Sequence, residues 1–237
     1  MYKYTYQFKI YLVSILSILS ITTISFLFPN SYEITNPSQQ SDTIQTWTSW
    51  KLSSDNVLKI NIVNPNIVSQ DKISAIMDAI LSENKLKIND PQMSRGSELT
   101  FFKGWKGALE SINSSKFYIP TKFAFVESSK DADIIINLTN SSSDDLFSAY
   151  TTPILKAHHV IKVQVIIYKA SEYSADMLQG IVRHEFGHVL GIGHSTNSED
   201  LMYYLSNTES PYISACDIKA IQFLYDGNES SNFVCDK

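Results

Sequence analysis

Three of the five histidines of this 237-residue chain fall within eleven residues, in the stretch "HEFGHVLGIGH" from His184 to His194. An α-helix places residues i and i+4 one above the other on the same face. His184 and His188 can therefore reach a single ion, at Zn–N distances of about 2.0–2.1 Å. Glu185 sits about 100° further round the helix, beside that ion but not a ligand to it. Three of the eight glycines separate the histidines. Gly191 can adopt a left-handed conformation at little cost and so end the helix, Gly193 gives the returning chain latitude, and His194 then closes the ion from a third side. Gly187 costs the helix about 1 kcal/mol against Ala, so a close-packed neighbour is expected there. Three neutral ligands leave a fourth position for water, which separates a catalytic zinc from a closed structural one. The metal would bring that water's pKa towards neutrality. Glu185 would take its proton and pass it on.

The flanking sequence must position these groups. "SADMLQGIVRHEFGHVL" (Ser174–Leu190) has helical spacing at Met177, Ile181, His184 and His188. "VLKINIV" (Val57–Val63), "KFAFVE" (Lys122–Glu127), "DADIIINLT" (Asp131–Thr139) and "HVIKVQVIIY" (His159–Tyr168) are β-branched or alternating and predict strands. "LFSAYTTP" predicts a short strand. Helices are expected behind Ser69, over Gly104–Ile112, and behind an S-x-x-D capping box at Ser214 and Asp217, with Gly227 ending the last. The sum is an α+β domain with a mixed sheet.

Composition narrows the function classes. The chain is 43 % hydrophobic and 18 % charged, with net charge −5 and no long Lys/Arg run, so nucleic acid is not an expected partner. Behind Lys3 and Lys9 lie nineteen uncharged residues, "IYLVSILSILSITTISFLF" (Ile10–Phe28). That is close to the roughly 20 residues needed to span a bilayer, and the lysines favour an N-in orientation. A signal anchor and a cleaved signal peptide both export the rest of the chain, giving an extracytoplasmic location, membrane-anchored or secreted. The expected organisation is a cytoplasmic segment (1–9), the apolar segment (10–28), a Ser/Thr/Asn/Gln-rich linker (29–56) and the domain (57–237). Trp47 and Trp50 in that linker could pack on the domain edge. In an oxidising compartment Cys216 and Cys235 are expected to pair, two free thiols being the alternative. Sequons start at Asn113, Asn137, Asn140 and Asn228, common by chance. No feature fixes an oligomeric state.

"HEFGHVLGIGH" followed by "LMYY" resembles the metzincin metalloproteases, and most of all the matrixin-like branch. In that branch Ser follows the third histidine, here Ser195, and the Met-turn methionine comes eight residues after it, here Met202. "SACDIKAIQFLYDG" is similar to the family's final helix, and "DADIIINLT" to the strand ahead of its edge strand. The resemblance covers roughly residues 57–227, strongly after 176. It implies a zincin-like α+β fold: a twisted mixed sheet whose edge strand lies over the active-site helix, with a C-terminal helix. It implies a zinc-dependent endopeptidase acting on protein or peptide substrates, with one catalytic Zn²⁺ on His184, His188 and His194. Glu185 would be the general base and Met202 an apolar floor. Phe147–Pro153 matches the edge strand that would hold an extended peptide.

The sequence departs from the family at several points. Tyr204 stands where matrixins usually have Pro, and could serve as an auxiliary zinc ligand or oxyanion donor. The Gly- and Asp-rich loop for structural zinc and calcium has no clear counterpart, so structural Ca²⁺ lacks sequence support. His158 and His159 occupy about that region and read as ordinary loop or strand residues. Neither cysteine precedes the catalytic helix, so cysteine-switch latency is not expected. The alternative function is a metal-containing binding or adhesion module with little turnover. The presence of Glu185 argues against it, because a degenerate binder commonly loses the general base.

Overall fold

The computed structural model describes residues 42–88, 99–144, 147–197, 200–204 and 212–235. They lie in the compact unit Ser41–Lys237; the other unit, Met1–Gln40, lies outside the described residues, and with it the expected cytoplasmic segment and apolar signal segment. Among the described residues no helix is long and apolar enough to cross a membrane.

The strands run β1 (Thr43–Thr46), β2 (Leu58–Val63), β3 (Lys85–Ile88), β4 (Leu99–Phe102), β5 (Phe123–Phe125), β6 (Ile134–Leu138), β7 (Ala149–Lys156), β8 (His159–Ile167), β9 (Ile192–Ser195) and β10 (Ser231–Val234). The helices are α1 (Gln70–Leu81), α2 (Trp105–Glu110), α3 (Ala175–Leu190) and α4 (Ala215–Tyr225). Five strands form the main sheet in the order β5-β2-β6-β8-β7. Its inner pairs are parallel, and β7 closes one edge antiparallel to β8.

Side-chain alternation fixes which face of that sheet is inside. Ile134, Ile136 and Leu138 of β6 are buried, as are Val163, Val165 and Ile167 of β8. Each such side chain contributes roughly 1.5–3 kcal/mol by leaving water. Strand β7 shows the reverse balance: Thr151 is buried, while Tyr150, Ile154 and Leu155 are exposed. A strand that is outermost in its sheet among the described residues, with one inward polar residue, suits a peptide-pairing edge.

Helices α1 and α3 pack against each other. The start of α3 is set by Ser174, whose side chain accepts a hydrogen bond from the Met177 amide. Its end is set by Gly191 at φ 103°, a left-handed position where Ala would be strained. A Cβ there would also stand 2.5 Å from the Thr48 carbonyl oxygen. Helix α4 opens on a complete capping box between Ser214 and Asp217.

The C-terminal end of the stretch expected as a linker, residues 29–56, carries regular structure. Thr43–Thr46 is β1, the central strand of a second sheet ordered β10-β1-β9 and antiparallel to both neighbours. Ile44 and Thr46 are buried, and Trp50 is 2 % exposed with its Nε1 donating to the Val189 carbonyl at 2.9 Å. The polar composition hides this strand because its support is non-local. It pairs with β10, whose residues lie about 190 positions downstream, and the Cys235 amide donates to the Asp42 carbonyl at 2.8 Å. Cys216, in the first turn of α4, and Cys235, just after β10, form a disulfide with Cα atoms 5.6 Å apart.

Candidate metal centre

Helix α3 carries His184 and His188 on one face, and the turn at Gly191 delivers β9 and His194 back towards them. The three imidazoles converge: centroids are 4.8 Å apart for His184–His188, 4.8 Å for His188–His194 and 5.5 Å for His184–His194. One ligand nitrogen from each lies within 4.8 Å of the others. Tetrahedral coordination requires such nitrogens to stand about 3.4 Å apart, given Zn–N bonds of about 2.0–2.1 Å. That separation falls inside the 4.8 Å within which the three ligand nitrogens lie.

The backbone sets the tautomers. His184 Nδ1 lies 2.7 Å from the Leu201 carbonyl oxygen and His188 Nδ1 lies 2.9 Å from the Ile192 carbonyl oxygen. A carbonyl only accepts, so each Nδ1 carries the hydrogen and donates it, leaving the Nε2 lone pair for a metal. Burial pushes the His184 pKa down to about 4, opposed by the Leu201 bond. Burial, then the neighbouring His184, pushes His188 down to about 3, and burial lowers His194 as well. All three are therefore neutral near pH 7, as metal ligands must be. A soft-to-borderline dication with a preference for nitrogen fits this donor set.

Met202 is fully buried, with its sulfur against Gly187. A Cβ at position 187 would collide with Met202 Sδ, so a side chain there would force this buried methionine to shift. The same turn supplies two consecutive carbonyls: Leu201 O accepts from His184, and Met202 O accepts from the Ser195 amide at 2.7 Å. It therefore ties the first histidine to the strand bearing the third. The Ser195 hydroxyl in turn donates to Asp200 Oδ2 at 2.6 Å. Asp217 is fully buried, and burial with the Asp200 charge raises its pKa to about 7.

Glu185 is 7 % exposed and accepts a hydrogen bond from Thr151 Oγ1 at 2.6 Å. Burial raises its pKa to about 7, with the Thr151 bond pulling the other way. Thr151 is a site residue that the sequence does not single out. A threonine in a mostly exposed strand carries no local signal, and only the β7–α3 packing gives it a role.

Tyr204 is 61 % exposed, and its ring lies 4.7 Å from that of Tyr203. His158 and His159 are exposed at the β7–β8 turn, where Ala157 and His158 both take positive φ. Among the described residues one other potential ligand group occurs, Asp200 with Cys216 and Cys235. Its sulfurs are already joined to each other and are not thiolates.

A twisted mixed sheet over a helix bearing two of three converging imidazoles is the architecture of the metzincin class. A family model described as matrixin matches residues 102–226, a little over half of the chain, and the chain belongs to that family. It is similar to metalloendoproteinase 2-MMP of Arabidopsis thaliana, at 37 % identity over 57 residues, 23 % of this chain and 15 % of that protein. It is also similar to matrix metalloproteinase-9 of Canis lupus familiaris, at 48 % identity over 46 residues, 19 % of this chain and 6 % of that protein. The matched stretches thus span a small part of either relative's length.

Proposed function

We propose that the chain is a zinc-dependent endopeptidase of the extracytoplasmic space. The observation that carries this reading is the convergence of three neutral imidazoles with a buried, non-ligating carboxylate beside them. Matrixin membership supports zinc as the metal and peptide bonds as the substrate.

The ligands would be His184, His188 and His194, with Met202 as the apolar floor under them. Zinc bound there supplies Lewis acidity towards a scissile carbonyl and lowers the pKa of water in the cleft. The remaining chemistry belongs to the chain. An extended substrate pairs with the outer backbone edge of β7, which gives affinity with little sequence selectivity. Glu185 takes one proton from the attacking water, whose oxygen forms the new bond to the carbonyl carbon. The carboxylate, made more basic by burial, which raises its pKa to about 7, keeps that proton until the C–N bond breaks and then gives it to the leaving amine. Thr151 fixes the carboxylate through Oε2, which leaves Oε1 for the water. Tyr204, exposed beside the Met-turn, is a secondary donor at most.

Export is supported by the apolar segment Ile10–Phe28 in the sequence and by the Cys216–Cys235 disulfide. Strand β1 lies ahead of the expected boundary at Val57, and its pairing with β9 and β10 supports counting it with the functional domain.

The test is cleavage of casein or a quenched-peptide library with and without a chelator. Cleavage should stop on chelation and return on adding zinc. Zinc bound at one equivalent with no substrate cut at high protein concentration would overturn the proposal.

A further inference from the structure

The segment Ile44–Trp50 precedes the matched family region by some fifty residues, yet it touches the chain around two of the three histidines. Trp47 lays its indole on the His188 imidazole, with centroids 4.9 Å apart and planes 13° from parallel. Its amide donates to the Gly191 carbonyl at 2.8 Å, and its carbonyl accepts from the Ser230 amide at 2.9 Å. The ring is also seated against Gly193, where a Cβ would stand 2.7 Å from Trp47 Nε1 and 2.8 Å from Gln45 Cβ. A side chain at 193 would displace the indole. On either side, Ile44 pairs with Ser195 and Thr46 with Ile192, so β1 brackets His194 as well.

The His188 ring needs two constraints to aim Nε2 at an ion. The Nδ1 bond to Ile192 O fixes one point of the ring. That single bond still allows the imidazole to tilt about the donor–acceptor line. A flat aromatic contact opposes tilt, because any rotation opens the stacked faces and loses their dispersion contacts. Hydrogen bond and stack together define both the direction and the plane of the ligand. The indole also keeps water from one face of the imidazole, which strengthens the Nδ1 hydrogen bond by lowering the local dielectric.

We propose that Trp47 is a positioning residue of the metal centre: its indole holds the His188 imidazole in ligand orientation, and β1 is the element that brings it there. The inference rests on the zinc reading above. It assigns a working role to a stretch of sequence that composition alone marks as a polar connector, and it makes Gly193 the space that admits the indole.

The experiment uses the full chain, as the parent, Trp47→Leu and Trp47→Phe. Zinc release into a colorimetric chelator is timed, the melting point of each zinc-free form is recorded, and His188 ring-proton shifts are read by NMR. Release from Trp47→Leu should be about 10- to 100-fold faster than from the parent, the range seen when groups that orient metal ligands are removed. Trp47→Phe, which keeps an aromatic face, should release zinc near the parent rate. In the parent, the His188 ring protons should lie upfield of unstacked imidazoles. That measurement stands even if Trp47→Leu does not fold. The inference fails if Trp47→Leu and the parent release zinc at the same rate, whatever happens to the melting point, or if the parent's His188 protons are unshifted. A parent that takes up no zinc overturns the metal reading itself. A parent that binds zinc with Trp47→Leu indistinguishable overturns this inference alone.

Discussion

Replacing Glu185 with alanine is expected to leave zinc bound at one equivalent and to lower peptide cleavage by roughly 10²–10⁴-fold. The two halves of that expectation come from different parts of the geometry. Zinc should stay because Glu185 supplies no ligand atom to the His184, His188 and His194 group. The Nδ1 bonds that orient His184 and His188 go to Leu201 and Ile192, not to the carboxylate. Cleavage should fall because the proton taken from the attacking water would lose its acceptor. The Thr151 hydroxyl would lose its short bond to the carboxylate and keep only the long one, 3.5 Å, to the residue 185 carbonyl, so a modest loss of stability is expected as well. The melting point should therefore be recorded alongside turnover. A Glu185→Ala protein that cuts as well as the parent would remove the carboxylate from the mechanism.

The second large effect is on stability. Serine at both Cys216 and Cys235 should lower the unfolding free energy by about 3 kcal/mol, the loop-entropy value for a closure of about 20 residues. The two cysteines are 19 positions apart in sequence. For a domain of this size that is a drop of roughly 6–12 °C in melting midpoint. The consequence should reach the metal centre. The disulfide pins the end of β10 to α4, β10 holds β1, and β1 holds β9 on either side of His194. The double variant should accordingly release zinc faster than the parent as well as melt earlier. Identical melting curves for the two proteins would show that the link closes nothing that the rest of the fold does not already hold.

The parts legible in sequence are those whose causes are local. Helix α3 can be read because Ser174 caps it, apolar residues recur at helical spacing, and Gly191 stops it. Strands β6 and β8 can be read because Ile134, Ile136, Val163 and Val165 alternate with less buried residues. Strand β1 cannot, because Thr43–Thr46 has one large apolar side chain and draws its order from β9 and β10 far along the chain. Strand β7 runs beyond the stretch that its sequence suggests. Pro153 reads as an end, but an edge strand tolerates proline where its missing N–H would face solvent. Pairing with β8 carries the strand on to the turn at Ala157 and His158. The three histidines and Glu185 are visible from their spacing alone. Thr151 and the stacked Trp47 are not, since each acquires its role only through an element that arrives from elsewhere in the fold. The aromatic pair in "TWTSW" is the one signal that the polar segment is anchored.

X-ray absorption on the purified, zinc-replete protein addresses the metal directly. One zinc per chain is expected, with three imidazole nitrogens at about 2.0–2.1 Å, one further light-atom ligand and no sulfur. A protein that stays bare of zinc, or one whose zinc shows sulfur or a closed set of four protein ligands, would overturn the three-histidine centre and the hydrolysis built on it.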